Sequence, residues 1–224
     1  MGAFAAVIFD YDGTLFDTRP AIVRCIRQTF DECGRPIPAH EAVASAVQAG
    51  LALQDTFLTL DSRLPNDRVS LNELVRHYRK LYADEGSALL KPFAGVGRAL
   101  QQLHEGGAAC LIVSNKGIGA IRRSLEQNNL ARFVDLVFAD QSGLPKKPDP
   151  AILVDHILPR YAQLVAEQIV MVGDTEIDIL FAKRTGMFSC WASYGYGEAG
   201  RCRKLAPDYE ISAIDELPAL VLAR

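Results

Sequence analysis

The chain has 224 residues, of which 49% are hydrophobic and 23% are charged, as in ordinary globular proteins and unlike disordered or fibrous ones. Its formal net charge of -3 excludes a long-range attraction to nucleic acid or acidic membranes, so any anion it binds must be held by a local site. The five cysteines are scattered without a Cys-x-x-Cys pair, which argues against a disulfide framework or a zinc site. The N-terminus lacks a basic region and its apolar run stops at Asp10, so we expect no signal peptide, no membrane span and a cytoplasmic location.

The first predicted element is a strand over residues 5–9, whose continuous apolar run is typical of a strand buried on both faces of a parallel sheet. Asp10 and Asp12 follow it. Residues i and i+2 of an extended segment point the same way, so the two carboxylates can converge beyond the strand end. Close carboxylates repel unless a cation or proton lies between them, and Mg²⁺ takes oxygen ligands while keeping positions open for water and phosphate. A loop of ordinary turn residues is the alternative at this point.

Residues 19–89 carry helical patterns and no strand-like alternation. Pro20 suits a first helical turn, and apolar side chains recur at helical spacing from there to Gly34. Two short helices are predicted on either side of Gly50, and Ser70-Leu71-Asn72-Glu73 has the composition of a capping box that begins another helix. The sequence therefore predicts an all-helical domain over 19–89, inserted into an α/β domain formed by 1–18 and 90–224.

From residue 90 onward, strand and helix patterns alternate. Strands are predicted at 108–113, 136–139, 169–172 and 188–192, with helices between them at 119–127, 150–158 and 176–185. A last edge strand is predicted at 209–211. This alternation predicts an α/β fold with a Rossmann-like parallel sheet and helices on both faces. Because such sheets bind ligands beyond the carboxyl ends of their strands, the chemical residues should lie just after strands.

Polar side chains do follow these strands. Ser114 and Asn115 come after the strand at 108–113, where a serine is ordinarily a helix N-cap but can also hold a phosphoryl oxygen. Lys147 lies beyond the strand at 136–139; loop lysines are usually solvated, but this one precedes Pro148, which restricts the backbone beside a cation suited to phosphoryl transfer. Asp174 and Asp178 follow the strand at 169–172 and share one side of a helical turn, although acids there also suit the helix dipole.

These four segments, in this order and spacing, resemble the four motifs of the haloacid dehalogenase superfamily, most of whose members are Mg²⁺-dependent phosphatases. The first motif is Asp10-x-Asp12-Gly13-Thr14-Leu15-x-Asp17-Thr18, and the resemblance spans nearly the whole chain. It implies that Asp10 is a metal ligand and the nucleophile that becomes an aspartyl phosphate. It implies that Asp12 is the general acid and base, with its main-chain carbonyl on the metal.

The resemblance also assigns the remaining motif residues. It implies that Ser114 and Lys147 act in catalysis and bind the phosphate together with Asn115 and the N–H of Gly13. It implies that Asp174 is the other protein ligand of Mg²⁺ and that Asp178 orients metal-bound water. The helical insertion resembles the cap of the family, which closes over the site and selects the leaving group.

Several members of the superfamily remain open as functions. Ser114-Asn115-Lys116 and the Ala49-Gly50-Leu51 turn are most similar to the phosphoglycolate phosphatase branch, which hydrolyses small phosphorylated acids, pyrophosphate or similar metabolites. Asp12 argues against the namesake dehalogenases, which lack this second aspartate. A sugar phosphomutase resembling β-phosphoglucomutase would share every catalytic residue and is the alternative. A non-catalytic binding protein is a further alternative, with loss of the motif acids or lysine as its signature.

The expected partner is a small phosphorylated metabolite, with no nucleic acid and no membrane. The chain is expected to be a monomer or a homodimer.

Overall fold

A computed structural model describes residues 4–49, 51–64, 68–141 and 143–223. Gly50, which the sequence places between two predicted helices, lies outside these residues. The chain divides into two compact units, one of residues 1–16 and 92–224 and the other of residues 17–91.

The strands, numbered in chain order, are β1 (Ala6–Phe9), β2 (Phe16–Asp17), β3 (Lys91–Pro92), β4 (Ala109–Gly117), β5 (Leu136–Asp140), β6 (Ile169–Gly173), β7 (Phe188–Ala192) and β8 (Tyr209–Ile211). The α-helices are α1 (Arg19–Glu32), α2 (His40–Gln48), α3 (Leu53–Leu60), α4 (Arg68–Asp84), α5 (Val96–Glu105), α6 (Ile118–Gln127), α7 (Glu176–Thr185), α8 (Ala199–Lys204) and α9 (Leu217–Leu222).

A six-stranded parallel sheet in the order β5-β4-β1-β6-β7-β8 forms the centre of the larger unit. In the register, Phe9 of β1 lies between Ile112 of β4 and Val172 of β6. Strands β1 and β6 therefore end at nearly the same level, and the residues that follow them meet at one edge of the sheet, beside the longer β4. The predicted α/β fold with a parallel sheet is confirmed.

Burial explains why β1 and β6 read as continuous apolar runs. Every residue of both strands is buried, as expected for a parallel sheet covered on both faces. Helices α5, α6 and α7 pack against the sheet, and α9 packs on α5. The core includes Ile8, Leu111, Met171 and Phe181.

The smaller unit consists of α1 to α4 and a short 3-10 turn at Gly86–Leu89. Helix α1 packs against both α2 and α4, and Phe30 of α1 lies 5.7 Å from Phe57 of α3 between ring centroids. Burying these aromatic rings gives the helices a common core. Helix α4 begins at Arg68, two residues before the predicted capping box at Ser70.

Two of the differences from the predicted elements lie in the segment from β4 to β6. Strand β4 continues to Gly117 rather than ending at Val113, so Ser114 and Asn115 belong to the end of this strand. The register of β4 against β5 shifts between Ser114 and Gly117. The segment predicted as a regular helix at 150–158 forms a wide π-helical turn at Ile152–Ile157 followed by a 3-10 turn at Leu158–Arg160.

Within the described ranges, none of the helices combines the length and apolar content that a bilayer crossing requires.

Candidate active site

Three buried carboxylates meet beyond the carboxyl ends of adjacent strands β1 and β6. Asp10 directly follows β1, Asp174 directly follows β6, and Asp178 lies in the first turn of α7. One carboxylate oxygen from each lies within 4.8 Å of the other two. Residues more than 160 positions apart in the chain thus share one small volume because their strands are neighbours in the sheet.

The ammonium of Lys147 lies among these acids. Its Nζ donates to Oδ1 of Asp10 and to Oδ1 of Asp178, each at 2.6 Å. The lysine is buried, with 3% of its side chain exposed. Both ion pairs are therefore shielded from solvent, which strengthens them and makes the loss of any one partner costly.

The charges of this cluster do not balance. Burial raises the pKa of Asp10 to about 7, although Lys147 acts in the opposite direction. Burial also raises the pKa of Asp174 well above its ordinary value, and Asp178 adds to the effect. Burial lowers the pKa of Lys147, but Asp10 and Asp178 outweigh it, the net shift is upward and the lysine stays charged. When all three carboxylates are ionised, their negative charge exceeds the positive charge of the one ammonium, and a hard divalent cation with oxygen ligands, such as Mg²⁺, fits that excess in place of the protons.

The carboxylate of Asp178 is held by Thr175, the residue that precedes α7. Its Oδ2 accepts from the main-chain N–H of Thr175 at 3.0 Å and from the Thr175 hydroxyl at 2.7 Å, while Oδ1 faces Lys147. The N-terminus of α7 thus orients this carboxylate in the way a capping residue is oriented. Gly173, which precedes the turn, has no room for a side chain, since an added Cβ would lie 2.3 Å from Cβ of Asp178.

Lys147 is positioned by Asn115 at the end of β4. The Asn115 side chain accepts from the main-chain N–H of Lys147 at 2.9 Å and donates to the Lys147 carbonyl at 3.2 Å. The peptide bond from Lys147 to Pro148 is cis. These two bonds use the Asn115 amide to hold the backbone of Lys147, and the predicted contact of Asn115 with phosphate stays a prediction.

The other predicted residues lie at the same sheet edge. Ser114 is buried, and its Oγ accepts from the main-chain N–H of Lys116 at 3.3 Å. Asp12 has 24% of its side chain exposed and pairs with the ammonium of Lys116 through Oδ1 at 2.9 Å. The N–H of Gly13 donates to the carbonyl of Phe16 at 2.9 Å, so its predicted contact with phosphate also stays a prediction.

A group of donors around Asp174 was not recognised from the sequence. Its Oδ1 accepts from the hydroxyl of Thr14 at 3.1 Å, and its Oδ2 accepts from the main-chain N–H of Tyr196 at 2.7 Å. The indole N–H of Trp191 donates to the Asp174 carbonyl at 3.0 Å. Tyr194 donates its hydroxyl to the carbonyl of Thr14 at 2.8 Å, so the loop after β7 holds the first motif and Asp174 together.

Close packing explains the glycines at this point. A Cβ added at Gly13, whose φ is +82°, would lie 2.3 Å from Oδ2 of Asp174. A Cβ added at Gly195 would lie 2.2 Å from Cβ of Asp174 and 2.5 Å from the Gly13 carbonyl. The glycines Gly195 and Gly197 beside Tyr194 and Tyr196 predict a loop near the site, but the sequence assigns that loop no role.

The family model of the haloacid dehalogenase-like hydrolases matches residues 7–192, a range that contains the three buried carboxylates, Asp12 and Lys147. The chain belongs to the haloacid dehalogenase-like hydrolases. The resemblance inferred from the four motifs is thereby confirmed.

Individual haloacid dehalogenase-like relatives align over almost the full chain. A phosphoglycolate phosphatase of Vibrio cholerae serotype O1 is 31% identical over 225 residues, which cover 99% of each chain. A pyrophosphatase, PpaX, of Halalkalibacterium halodurans is 30% identical, covering 96% of this chain and 95% of its own. A haloacid dehalogenase-like hydrolase from Streptococcus pneumoniae has a similar structure, with a TM-score of 0.81, 26% identity and coverage of 96% and 97% of the two chains.

Proposed function

We propose that this hydrolase is a Mg²⁺-dependent phosphatase that acts on a small phosphorylated metabolite through an aspartyl phosphate on Asp10. The substrate class is a phosphoglycolate-type monoester or pyrophosphate. The observation that carries the proposal is the buried pair of Lys147 with Asp10, 2.6 Å between Nζ and Oδ1, beside two further carboxylates. The names of the relatives from Vibrio cholerae and Halalkalibacterium halodurans support the substrate class.

The residues that would hold the ion are Asp10, Asp174 and the main-chain carbonyl of Asp12, with Asp178 orienting its water ligands. When bound, Mg²⁺ would neutralise part of the negative charge that develops on the phosphoryl oxygens. The fit rests on the excess of negative charge in the cluster and on its set of oxygen donors.

In the first half-reaction, a carboxylate oxygen of Asp10 attacks phosphorus in line with the leaving oxygen. The Asp10 oxygen–phosphorus bond forms as the ester bond breaks, and Asp12 gives its proton to the departing alcohol. Lys147 offsets the negative charge of the transferring group. In the second half-reaction, Asp12 takes a proton from water as that water attacks the aspartyl phosphate, which releases phosphate and restores Asp10.

We further propose that the helical unit serves as a cap that selects the leaving group, as expected for residues 19–89. Helices inserted between the first motif and the rest of the domain support this assignment. Substrate selection would then depend on residues outside the carboxylate cluster, as is common for folds that host several related activities.

Asp10→Asn is the first variant to test. The amide keeps the shape of the side chain but is a poor nucleophile, so we expect turnover to be abolished while the protein stays folded by circular dichroism. The measurement is release of inorganic phosphate from 2-phosphoglycolate, pyrophosphate, hexose phosphates, nucleotides and an aryl phosphate, with Mg²⁺ or with a chelator.

The matched control is Asp155→Asn, which makes the same chemical change at an exposed position and should leave turnover unchanged. Retained turnover in Asp10→Asn would contradict the assignment of the nucleophile. No release from any substrate by the unmodified protein would contradict the proposed phosphatase and favour the phosphomutase, which interconversion of sugar phosphates would then test.

A further inference from the structure

The carboxylate of Asp12 is held by a second lysine, Lys116, to which the family resemblance assigns no role. Nζ of Lys116 donates to Oδ1 of Asp12 at 2.9 Å. Only 9% of the Lys116 side chain is exposed, against 24% for Asp12. A pair this sheltered is screened less by salt and solvent than an ordinary surface ion pair.

Lys116 is itself held from two other directions. Its Nζ lies 5.8 Å from the centroid of the Tyr11 ring, within the range of a cation–π contact. Tyr11 is fully buried, stacks on Phe16 at 4.8 Å between centroids, and shares a hydrogen bond between its hydroxyl and that of Ser124. Lys116 also lies within β4, where its main-chain N–H donates to Ser114. The ammonium is therefore carried on a rigid strand end and rests on an immobilised ring.

The two lysines of the site serve different carboxylates. Lys147 makes its ion pairs with Asp10 and Asp178, both at 2.6 Å. Lys116 pairs with Asp12, whose side chain can rotate about two bonds. The exposed fraction of this side chain is 24%, against 11% for Asp10. In the proposed mechanism, Asp12 gives a proton to the leaving oxygen and later takes one from water. Its carboxyl group must be held in a defined orientation for both steps, since a misplacement of about 1 Å can cost about 100-fold in rate.

We propose that Lys116 is a positioning residue that orients Asp12 for proton transfer. The ammonium holds Oδ1 and directs the carboxyl group toward the leaving oxygen of the substrate. Asp12 passes its own proton to that oxygen as the phosphorus–oxygen bond breaks, and Lys116 keeps all of its protons. This role rests on the proposed phosphatase function.

The role has a consequence that a purely structural lysine would not share. Proton donation matters most for a poorly acidic alcohol and least for an acidic phenol that leaves readily as an anion. Loss of orientation should therefore slow the phosphorylation step increasingly as the leaving group becomes less acidic.

The experiment compares the wild-type protein with Lys116→Met and Lys116→Arg. Rapid-quench single-turnover measurements with Mg²⁺ would follow release of the leaving group from 2-phosphoglycolate and from aryl phosphates of graded phenol acidity. For Lys116→Met we expect a loss of about 10- to 100-fold with 2-phosphoglycolate, shrinking toward no loss with the most acidic phenol, and an unchanged KM. Lys116→Arg keeps the charge and a donor and should recover most of the rate.

Arg203→Met is the matched control, because Arg203 also lies over an aromatic ring, at 5.3 Å from Trp191, and pairs with a carboxylate, at 2.9 Å from Glu210. It should leave all rates unchanged. If Lys116→Met fails to fold by circular dichroism, Lys116→Gln, which keeps a neutral donor, takes its place with the same expected pattern.

An equal loss on every leaving group, or a change confined to KM, would overturn the role of Lys116 and leave the phosphatase standing. A wild-type protein that hydrolyses none of the esters would overturn the proposed function and this role with it.

Discussion

Lys147 carries the positive charge of the carboxylate cluster, and methionine at this position would keep the aliphatic stem while removing that charge. We expect Lys147→Met to lower kcat/KM by about 100- to 1,000-fold, because a charge on the transferring group would lose its preorganised partner. Without Mg²⁺ it should also lower the free energy of unfolding by about 3 kcal/mol, since two buried carboxylates would be left unpaired. Phosphate release and urea unfolding in chelator measure the two effects.

The adjacent lysine provides the control. Lys146 pairs with Asp140 at 3.2 Å, but 39% of its side chain is exposed. Lys146→Met should change stability by less than about 0.5 kcal/mol and leave turnover unchanged. Equal losses in the two variants would mean that the general charge of this loop, rather than the contacts of Lys147, sets the activity.

At the level of single residues, the sequence predicted which side chains of the candidate site meet where their position follows from the order of the strands. Asp10, Lys147 and Asp174 each follow a strand, and neighbouring parallel strands bring their ends together. The contacts of Lys116 with Asp12 and of Thr14 with Asp174 join residues 104 and 160 positions apart. They depend on the directions of individual side chains, about which hydrophobic periodicity carries no information.

The loop that follows β7 acts as a unit that packs against Asp174, and Gly195→Ala would test it. The new methyl group would lie 2.2 Å from Cβ of Asp174, so the loop, Asp174 or both would have to move. We expect the Mg²⁺ concentration for half-maximal activity to rise about tenfold or more, because a group that orients a ligand would be displaced. Overpacking should also cost about 1 to 3 kcal/mol of stability, measured by urea unfolding.

Gly119→Ala is the matched control, because it makes the same change from glycine to alanine at a position with room for the methyl group. In the part of the chain that the structure describes, a Cβ added at Gly119, near the start of α6, would meet no atom within 4 Å beyond its chain neighbours and the backbone of its own helix. The variant should keep its metal requirement and gain less than about 1 kcal/mol from better helix propensity. An unchanged Mg²⁺ requirement in Gly195→Ala would show that the loop tolerates the methyl group and does not position Asp174.

At the level of elements, regular amphipathic helices were predicted closely and irregular segments were not. Helix α7 has the bounds predicted from its pattern and ends at Gly186 in the left-handed region. The short helix α8 was missed, because its sequence contains Gly200 and its start depends on the Glu198 carboxylate accepting from Gly200 and Arg201. The sequence predicts an ordinary α-helix where the structure has a wide π-helical turn at 152–157, since the spacing of the apolar residues does not distinguish a π-helix from an α-helix.

At the level of the whole molecule, the change from helical patterns to strand–helix alternation near residue 90 carried the prediction of the architecture. The sheet was predicted because parallel strands require crossover helices between them, whereas the sequence of residues 19–89 carries only helical patterns. The structure places the boundaries of the second compact unit at residues 17 and 91, against the predicted 19 and 89. Such ends are the least certain part of a pattern, since capping and pairing of two or three residues decide them.

The stability of the metal-free protein should depend on pH through the carboxylate cluster. Burial raises the pKa of Asp10 from 3.8 to about 7, so the folded state holds a proton that the unfolded state has lost between these values. The contribution of Asp10 is therefore largest in acid and falls as pH rises toward 7. Comparison with Asp10→Asn, which does not titrate, removes this group together with its effect on the pKa of Asp174. Relative to that variant, the unmodified protein should lose about 3 kcal/mol between pH 5 and pH 8, at about 1.4 kcal/mol per pH unit up to the folded pKa.

Urea unfolding of both proteins in chelator at pH 5 and pH 8 measures this difference, and a difference that does not change with pH would contradict the raised pKa.

Adding Mg²⁺ extends the test, because a proton on Asp10 competes with the cation. The ion should stabilise the unmodified protein more at pH 8 than at pH 5, by an amount set by its concentration relative to its Kd. In Asp10→Asn the stabilisation should be small at both pH values, since one carboxylate ligand is missing. Equal stabilisation of both proteins would place the ion away from Asp10.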